Sequence, residues 1–117
     1  VLRLLVEKGN ADVNRNADVN QAAAGGVTPA YIAASNGHLE MLSLLVEKGA
    51  DVNQADGAGA TPAFIAAQKG HLGVLRLLVE KGNADVNQPS KNGWTPAHAA
   101  AQNGHLEVLR LLVEKGA

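Results

Sequence analysis

Apolar residues in this chain follow a helical rhythm that breaks and restarts at regular intervals. Leu39, Leu42, Leu45 and Val46 recur at the three-and-four spacing that gathers them on one helix face, which must then be buried. Similar segments begin at Leu72 and Leu106, and Gly49, Gly82 and Gly116 stop all three. Ahead of each lies a short Ala-rich segment that opens on Thr-Pro. Thr28, Thr61 and Thr95 stand as N-caps, whose side-chain oxygens accept from backbone N–H groups left free at a helix start. Pro29, Pro62 and Pro96 take the first helical position, where a missing N–H is harmless and φ is preset. Gly37, Gly70 and Gly104 close the short helices in a left-handed turn. The pattern predicts three helix pairs, short then long. One more long-type segment, Val1–Lys8 (V-L-R-L-L-V-E-K), predicts a helix with no short partner before it.

The pairs are repeats. Their threonines are 33 apart (61 − 28) and 34 apart (95 − 61), and Val1–Gly9 is identical to Val74–Gly82. With the motifs T-P-x-x-x-A-A-x-x-G-H-L, L-L-V-E-K-G and A-D-V-N, the chain resembles the ankyrin repeat family over almost its whole length. That resemblance implies an all-α fold: a solenoid of stacked antiparallel helix pairs whose Asp-Val-Asn loops lead into hairpins shared with the next unit. Residues 1–117 then form a single repeat domain. Within it, 1–9 is the second helix of a truncated repeat, 10–27 a lengthened loop, and 28–60, 61–94 and 95–117 are complete repeat bodies. Ala33, Ala34, Ala66, Ala67, Ala100 and Ala101 let short helices approach closely while Leu-rich helices fill the outer layer, which curves such a stack.

One passage breaks the period. The step from Gly49 to Thr61 is 12 residues and from Gly82 to Thr95 is 13, the extra residue being Asn83, but from Gly9 to Thr28 it is 19. The surplus is a six-residue duplication, N-A-D-V-N-R then N-A-D-V-N-Q. It is either a lengthened surface loop, cheap at about 0.6 kcal/mol per doubling of length, or the scar of a lost repeat body.

Composition narrows the function. A net charge of −1 with both signs interspersed gives no reason to expect nucleic acid or an anionic membrane as partner. The absence of cysteine removes disulfides, thiolate metal sites and cysteine nucleophiles. No apolar run approaches the roughly 18 residues of a membrane span, and no signal pattern opens the sequence. The expectation is a soluble protein inside the cell, in the cytoplasm.

Four histidines invite a metal hypothesis, and spacing argues against it. His38, His71 and His105 follow the turn glycine in successive units, so they lie one repeat apart, about 8–10 Å for packed helices. Three imidazoles on zinc need nitrogens about 2.0–2.1 Å from the metal. The resemblance implies a structural role instead, bonding to backbone near the turn, and gives His98 the turn-ordering place of the family's T-P-L-H. Asp51–Gly57 (D-V-N-Q-A-D-G) echoes a calcium loop, but its twelfth position is Pro62 where a Glu is needed. No nucleotide or nucleophile motif is present, and a nearly periodic chain offers no asymmetric cluster of acid, base and nucleophile. No catalytic residue, cofactor or metal is expected.

What varies between units while the scaffold stays fixed is the candidate recognition surface. These positions precede the threonine or end the short helix: Ala24, Gly25, Val27, Ser35 and Asn36 in the first unit, then Gly57, Ala58, Ala60, Gln68 and Lys69 in the second. The third contributes Lys91, Asn92, Trp94, Gln102 and Asn103. In the family these are hairpin-tip and concave-groove positions that meet a protein partner. Trp94 is the one tryptophan, in a residue class enriched among interface hot spots, unless it packs across the hairpin onto its own repeat. Tyr31 and Phe64 replace the motif histidine beside Ala30 and Ala63, which reads as core volume moved by one position, the alternative being a Tyr–Phe binding ladder on the groove. The first half-unit and the apolar last helix, Leu106–Lys115, leave both ends apolar, so the chain is expected either to be a segment of a longer array or to self-associate end to end. The function expected is noncatalytic protein–protein recognition on the concave face. The alternatives are a structural spacer, a consensus-like engineered scaffold without a partner, or a substrate-positioning segment of a larger effector or enzyme.

Overall fold

A computed structural model describes residues 18–117. The expected Val1–Lys8 helix and most of the Asn10–Gln21 duplication lie outside the described residues. Six α-helices follow in three pairs: α1 Pro29–Asn36 with α2 Leu39–Glu47, α3 Pro62–Lys69 with α4 Leu72–Glu80, and α5 Pro96–Gln102 with α6 Leu106–Glu114. A 3-10 turn, Ala24–Gly26, precedes them. No β-strand occurs among the described residues, and the fold is all-α.

Each short helix starts by the same local chemistry. The Thr28, Thr61 and Thr95 hydroxyl oxygens accept from the amides of Tyr31, Phe64 and His98 at 3.2, 3.1 and 3.4 Å. In the third unit the box is reciprocal, because the Thr95 amide donates to His98 Nδ1 at 3.0 Å. Gly37 and Gly70 close α1 and α3 at φ 71 and 78, while α5 ends one residue earlier, with Asn103 as cap and Gly104 left-handed behind it.

The expected stop of the middle long helix is displaced by one residue. Gly49 and Gly116 are left-handed, but Gly82 is not; Asn83 takes that conformation at φ 59. The inserted residue explains the shift, and Asn tolerates the left-handed region better than other non-glycine residues. Gly82 is still required, because a Cβ there would lie 2.9 Å from the Leu78 carbonyl and 3.1 Å from Val52.

The short helices form one layer and the long helices another, and neighbouring short helices meet more extensively than long ones do. Ala34, Ala63, Ala66, Ala67 and Ala100 are all fully buried, so small side chains permit that approach. Leu42, Leu75, Leu78 and Leu112 fill the outer seam. Contrary to the expected apolar face, Leu39 is 47% exposed, since the residue facing it across the repeat is Gly73, where a Cβ would lie 3.9 Å from Leu39 Cδ2.

Loops lock the register between units. Asp18, Asp51 and Asp85 each accept from the amide two residues on, at 2.8–3.0 Å, so these carboxylates shape turns. The Asp51 and Asp85 amides then donate to Asn20 and Asn53 Oδ1 of the preceding unit, at 2.7 and 2.8 Å. Gln54 and Gln88 side chains reach the same two asparagines' carbonyls, both at 3.1 Å. This bracket repeats with the period, and it holds adjacent hairpins at a fixed spacing.

Candidate recognition surface

Three hairpins project from the loops. Each is closed by a pair of amide-to-carbonyl bonds: Ala23 to Val27 at 2.8 Å with Gly26 to Ala23 at 3.0 Å, Asp56 to Ala60 at 2.9 Å with Gly59 to Asp56 at 2.9 Å, and Ser90 to Trp94 at 2.7 Å with Gly93 to Ser90 at 2.9 Å. Adjacent hairpins join through Gly57 N–H to the Gly25 carbonyl at 2.7 Å, and Lys91 N–H to the Ala58 carbonyl at 3.0 Å. Backbone must approach backbone closely there. A Cβ on Gly59 would stand 2.7 Å from the Lys91 nitrogen, and φ +83 already favours glycine.

The residue just before the threonine occupies one slot in every hairpin, and its size decides what it does. Ala60 is buried at 8% exposure and its amide donates to Asp56 Oδ1 at 2.9 Å, so it is withdrawn from the recognition surface. Val27 is half-buried. Trp94 is too large for the slot and stands 38% exposed. Its indole rests against the His98 ring, centroids 5.5 Å apart and tilted 45°. Trp94 thus does pack on its own repeat with one side while leaving the other open. His98 is itself held by Thr95, so the bracing group is fixed. Ala24, Gly25, Gly57, Ala58, Lys91 and Asn92 are exposed at the tips.

At the ends of the short helices the candidates divide. Asn36, Gln68, Lys69 and Gln102 are exposed. Ser35 is half-buried; its hydroxyl accepts from Lys69 Nζ at 3.0 Å and its carbonyl meets His71 Nε2 at 3.2 Å. Asn103 donates from Nδ2 to the Gln68 carbonyl at 2.8 Å, the acceptor that also takes His105 Nε2 at 3.1 Å. Ser35 and Asn103 therefore join one repeat to the next, a role local sequence reasoning missed because the partner lies 35 residues away. A donor at this place in successive units, Lys69 then Asn103, was the available signal.

The histidines work across the same seam. A Cβ on Gly37 would come within 3.2 Å of the His71 ring, and one on Gly70 within 2.7 Å of the His105 ring. Each imidazole lies on the turn glycine of the unit before and bonds the carbonyl two residues ahead of that glycine. Among the described residues no group of three or more His, Asp or Glu side chains is placed to hold a metal ion.

The expected core filling by Tyr31 and Phe64 holds in part, since both are half-buried and Tyr31 packs against the core cluster. Ala30 and Ala63 take the core slots at 1% and 0% exposure, and both aromatics lie half-buried beside them. Burial pushes the Tyr31 hydroxyl above its ordinary range, and the nearby Asp56 carboxylate raises it further.

Two stretches of the chain, residues 1–56 and 53–117, match the family model described as ankyrin repeats, three copies. Comparison with curated proteins finds no match. No helix among the described residues is long and apolar enough to cross a membrane.

Proposed function

Because the chain belongs to the ankyrin repeat family, whose repeats are generally noncatalytic protein-interaction modules, we propose that it binds a protein partner on its concave groove and hairpin tips. The contact centres on the third unit. One observation carries the reading: Trp94 is the large aromatic of the hairpins, its backbone closes the hairpin, and its indole is braced by a fixed His98 with one side left open. A rigid, partly exposed tryptophan loses little conformational freedom on binding and contributes a large contact area. Lys91 and Asn92 beside it, with Gln102 at the end of α5, add polar groups for the rim. Gln68, Lys69, Asn36 and Ala58 extend the surface toward the earlier units with smaller reach.

The test is affinity capture from a lysate with the chain and with a Lys91→Ala, Trp94→Ala, Gln102→Ala variant, after circular dichroism has shown equal helicity. Asn103 is left intact because it joins two repeats. A protein retained by the parent and lost by the variant supports the reading. Equal capture by both moves the surface elsewhere, and no specific capture favours the spacer or partnerless scaffold.

A further inference from the structure

Two long-helix positions depart from the chain's own repeat, and the fold brings them together. The residue after the opening leucine is Glu40 in α2 and Glu107 in α6, but Gly73 in α4. Three residues further on stand Arg76 in α4 and Arg110 in α6, but Ser43 in α2. Ser43 and Gly73 belong to successive repeats, yet both line one cleft of about 310 Å³, with Leu39, Arg76, Leu77, Glu80 and Lys81. The cleft spans the seam between α2 and α4, and both of its walls are among the described residues. It lies in the long-helix layer, whereas Trp94 rests on His98 of α5 in the short-helix layer.

The next seam, between α4 and α6, shows the side chain that the repeat otherwise places here. Glu107 stands where Gly73 does and Arg110 where Arg76 does, and the Glu107 carboxylate lies 3.5 Å from Arg110 Nε. Leu72, the counterpart of Leu39, is half-buried at that seam, whereas Leu39 is 47% exposed. The difference is local, because a Cβ on Gly73 would meet Leu39 Cδ2 at 3.9 Å, an ordinary contact. The first seam therefore lacks a short aliphatic stem ending in a carboxylate, and it keeps the groups that would receive one. Leu39 and Leu77 form an apolar floor, and Arg76 and Lys81 supply cations. Glu80, the carboxylate on this rim, is already engaged by Arg76 Nη1 at 3.4 Å and by Lys115 Nζ at 3.6 Å. Glu40 and Glu47 line the neighbouring recess along α2 instead. Ser43 leaves open the place where the next seam has the long side chain of Arg76.

We propose that this cleft is a second recognition site, taking a glutamate side chain of a protein partner with its methylenes on Leu39 and Leu77 and its carboxylate between Arg76 and Lys81. The partner supplies from outside the acidic side chain that Glu107 supplies from within at the next seam. A carboxylate on a guanidinium makes charge-assisted, often bidentate hydrogen bonds, stronger than neutral ones. The cleft is a trough open to solvent, so it holds a side chain already positioned by a larger partner better than a free acid, which carries the whole cost of ordering. Its cations are exposed, so the contact weakens as salt rises. The site stands apart from the Trp94 hairpin and does not depend on it.

A random peptide library tests this, selected on the 117-residue chain and depleted on Gly73→Glu, which puts the repeat's own side chain back into the cleft. Glutamate is a better helix former than glycine, so Gly73→Glu is expected to keep full helicity, and binding lost there is not unfolding. The peptides that remain are expected to share a glutamate beside apolar residues and to shift the amide resonances of Leu39, Gly73 and Leu77. Replacing that glutamate by glutamine, or making Arg76→Gln with Lys81→Gln in the chain, is expected to weaken binding about tenfold. Gly73→Ala, which leaves the cleft open, is expected to bind as the parent does, and so is Trp94→Ala. A library that yields no peptide able to tell the parent from Gly73→Glu overturns the proposal. So do selected peptides without an acidic residue, binding that survives loss of both cations, or binding lost on Trp94→Ala.

Discussion

Replacing Gly70 with alanine tests the histidine-on-glycine seam more sharply than any other single change. Two costs combine. At φ +78 an L-residue carries about 1–2 kcal/mol of left-handed strain. The new Cβ also sits 2.7 and 2.8 Å from two atoms of the His105 ring, which cannot simply swing away because Nε2 is bonded to the Gln68 carbonyl at 3.1 Å. Displacing a packed ring of this kind costs about 1–3 kcal/mol. Gly104→Ala is the internal control: its φ is +73, so the strain is the same, but nothing lies within 4 Å. Gly37→Ala falls between, with the His71 ring at 3.2 Å. Urea unfolding by far-ultraviolet circular dichroism reads all three. With a slope of about 1 kcal/mol per molar urea for a chain this small, the Gly70 midpoint should lie about 1–3 M below the Gly104 midpoint. In a His105→Ala background the extra loss should vanish, leaving only the strain. If Gly70→Ala is no worse than Gly104→Ala, or if the loss persists without His105, the seam is not what fixes glycine at this turn.

Other substitutions probe the same logic elsewhere. Thr61→Ala removes a fully buried N-cap and should cost about 1–2 kcal/mol in urea unfolding. Asn83→Gly should stabilise the chain by a few tenths to about 1 kcal/mol by relieving positive φ, whereas Asn83→Val should lower the urea midpoint. Tyr31 binds its proton more tightly folded than unfolded, so its contribution is fully present below the unfolded value of 10.0 and is lost as pH rises through the higher folded value. A stability profile from pH 9 upward should therefore flatten in Tyr31→Phe (range set by the ordinary tyrosine value of about 10), and partly in Asp56→Asn.

Much of this fold is legible because its determinants are local. Thr-Pro at a helix start and glycine after its end act within one turn, so the limits of α1 and α3 follow from the residues beside them. The seams are less legible, because their partners lie a repeat away. Ser35 and Asn103 look like free surface in sequence, and only the stacked units show them bonded to Lys69, His71 and Gln68. The slot before the threonine shows the other limit. Position assigns Val27, Ala60 and Trp94 to one hairpin surface, but depth depends on volume, so the alanine sinks and the indole stays out. Gly82 fails as a left-handed stop for a simpler reason: the insertion that lengthens its loop moves that conformation onto Asn83.

The central claim is that a partner meets the Trp94 hairpin, and a photo-crosslinker placed there tests it most directly. Benzoylphenylalanine is substituted for Trp94 in one sample and for exposed Arg76 on α4 in another, both are irradiated in lysate, and adducts are identified by mass spectrometry. The account predicts a discrete protein adduct from position 94 that is absent from position 76. Adducts from position 76 alone, or the same set from both, would contradict it.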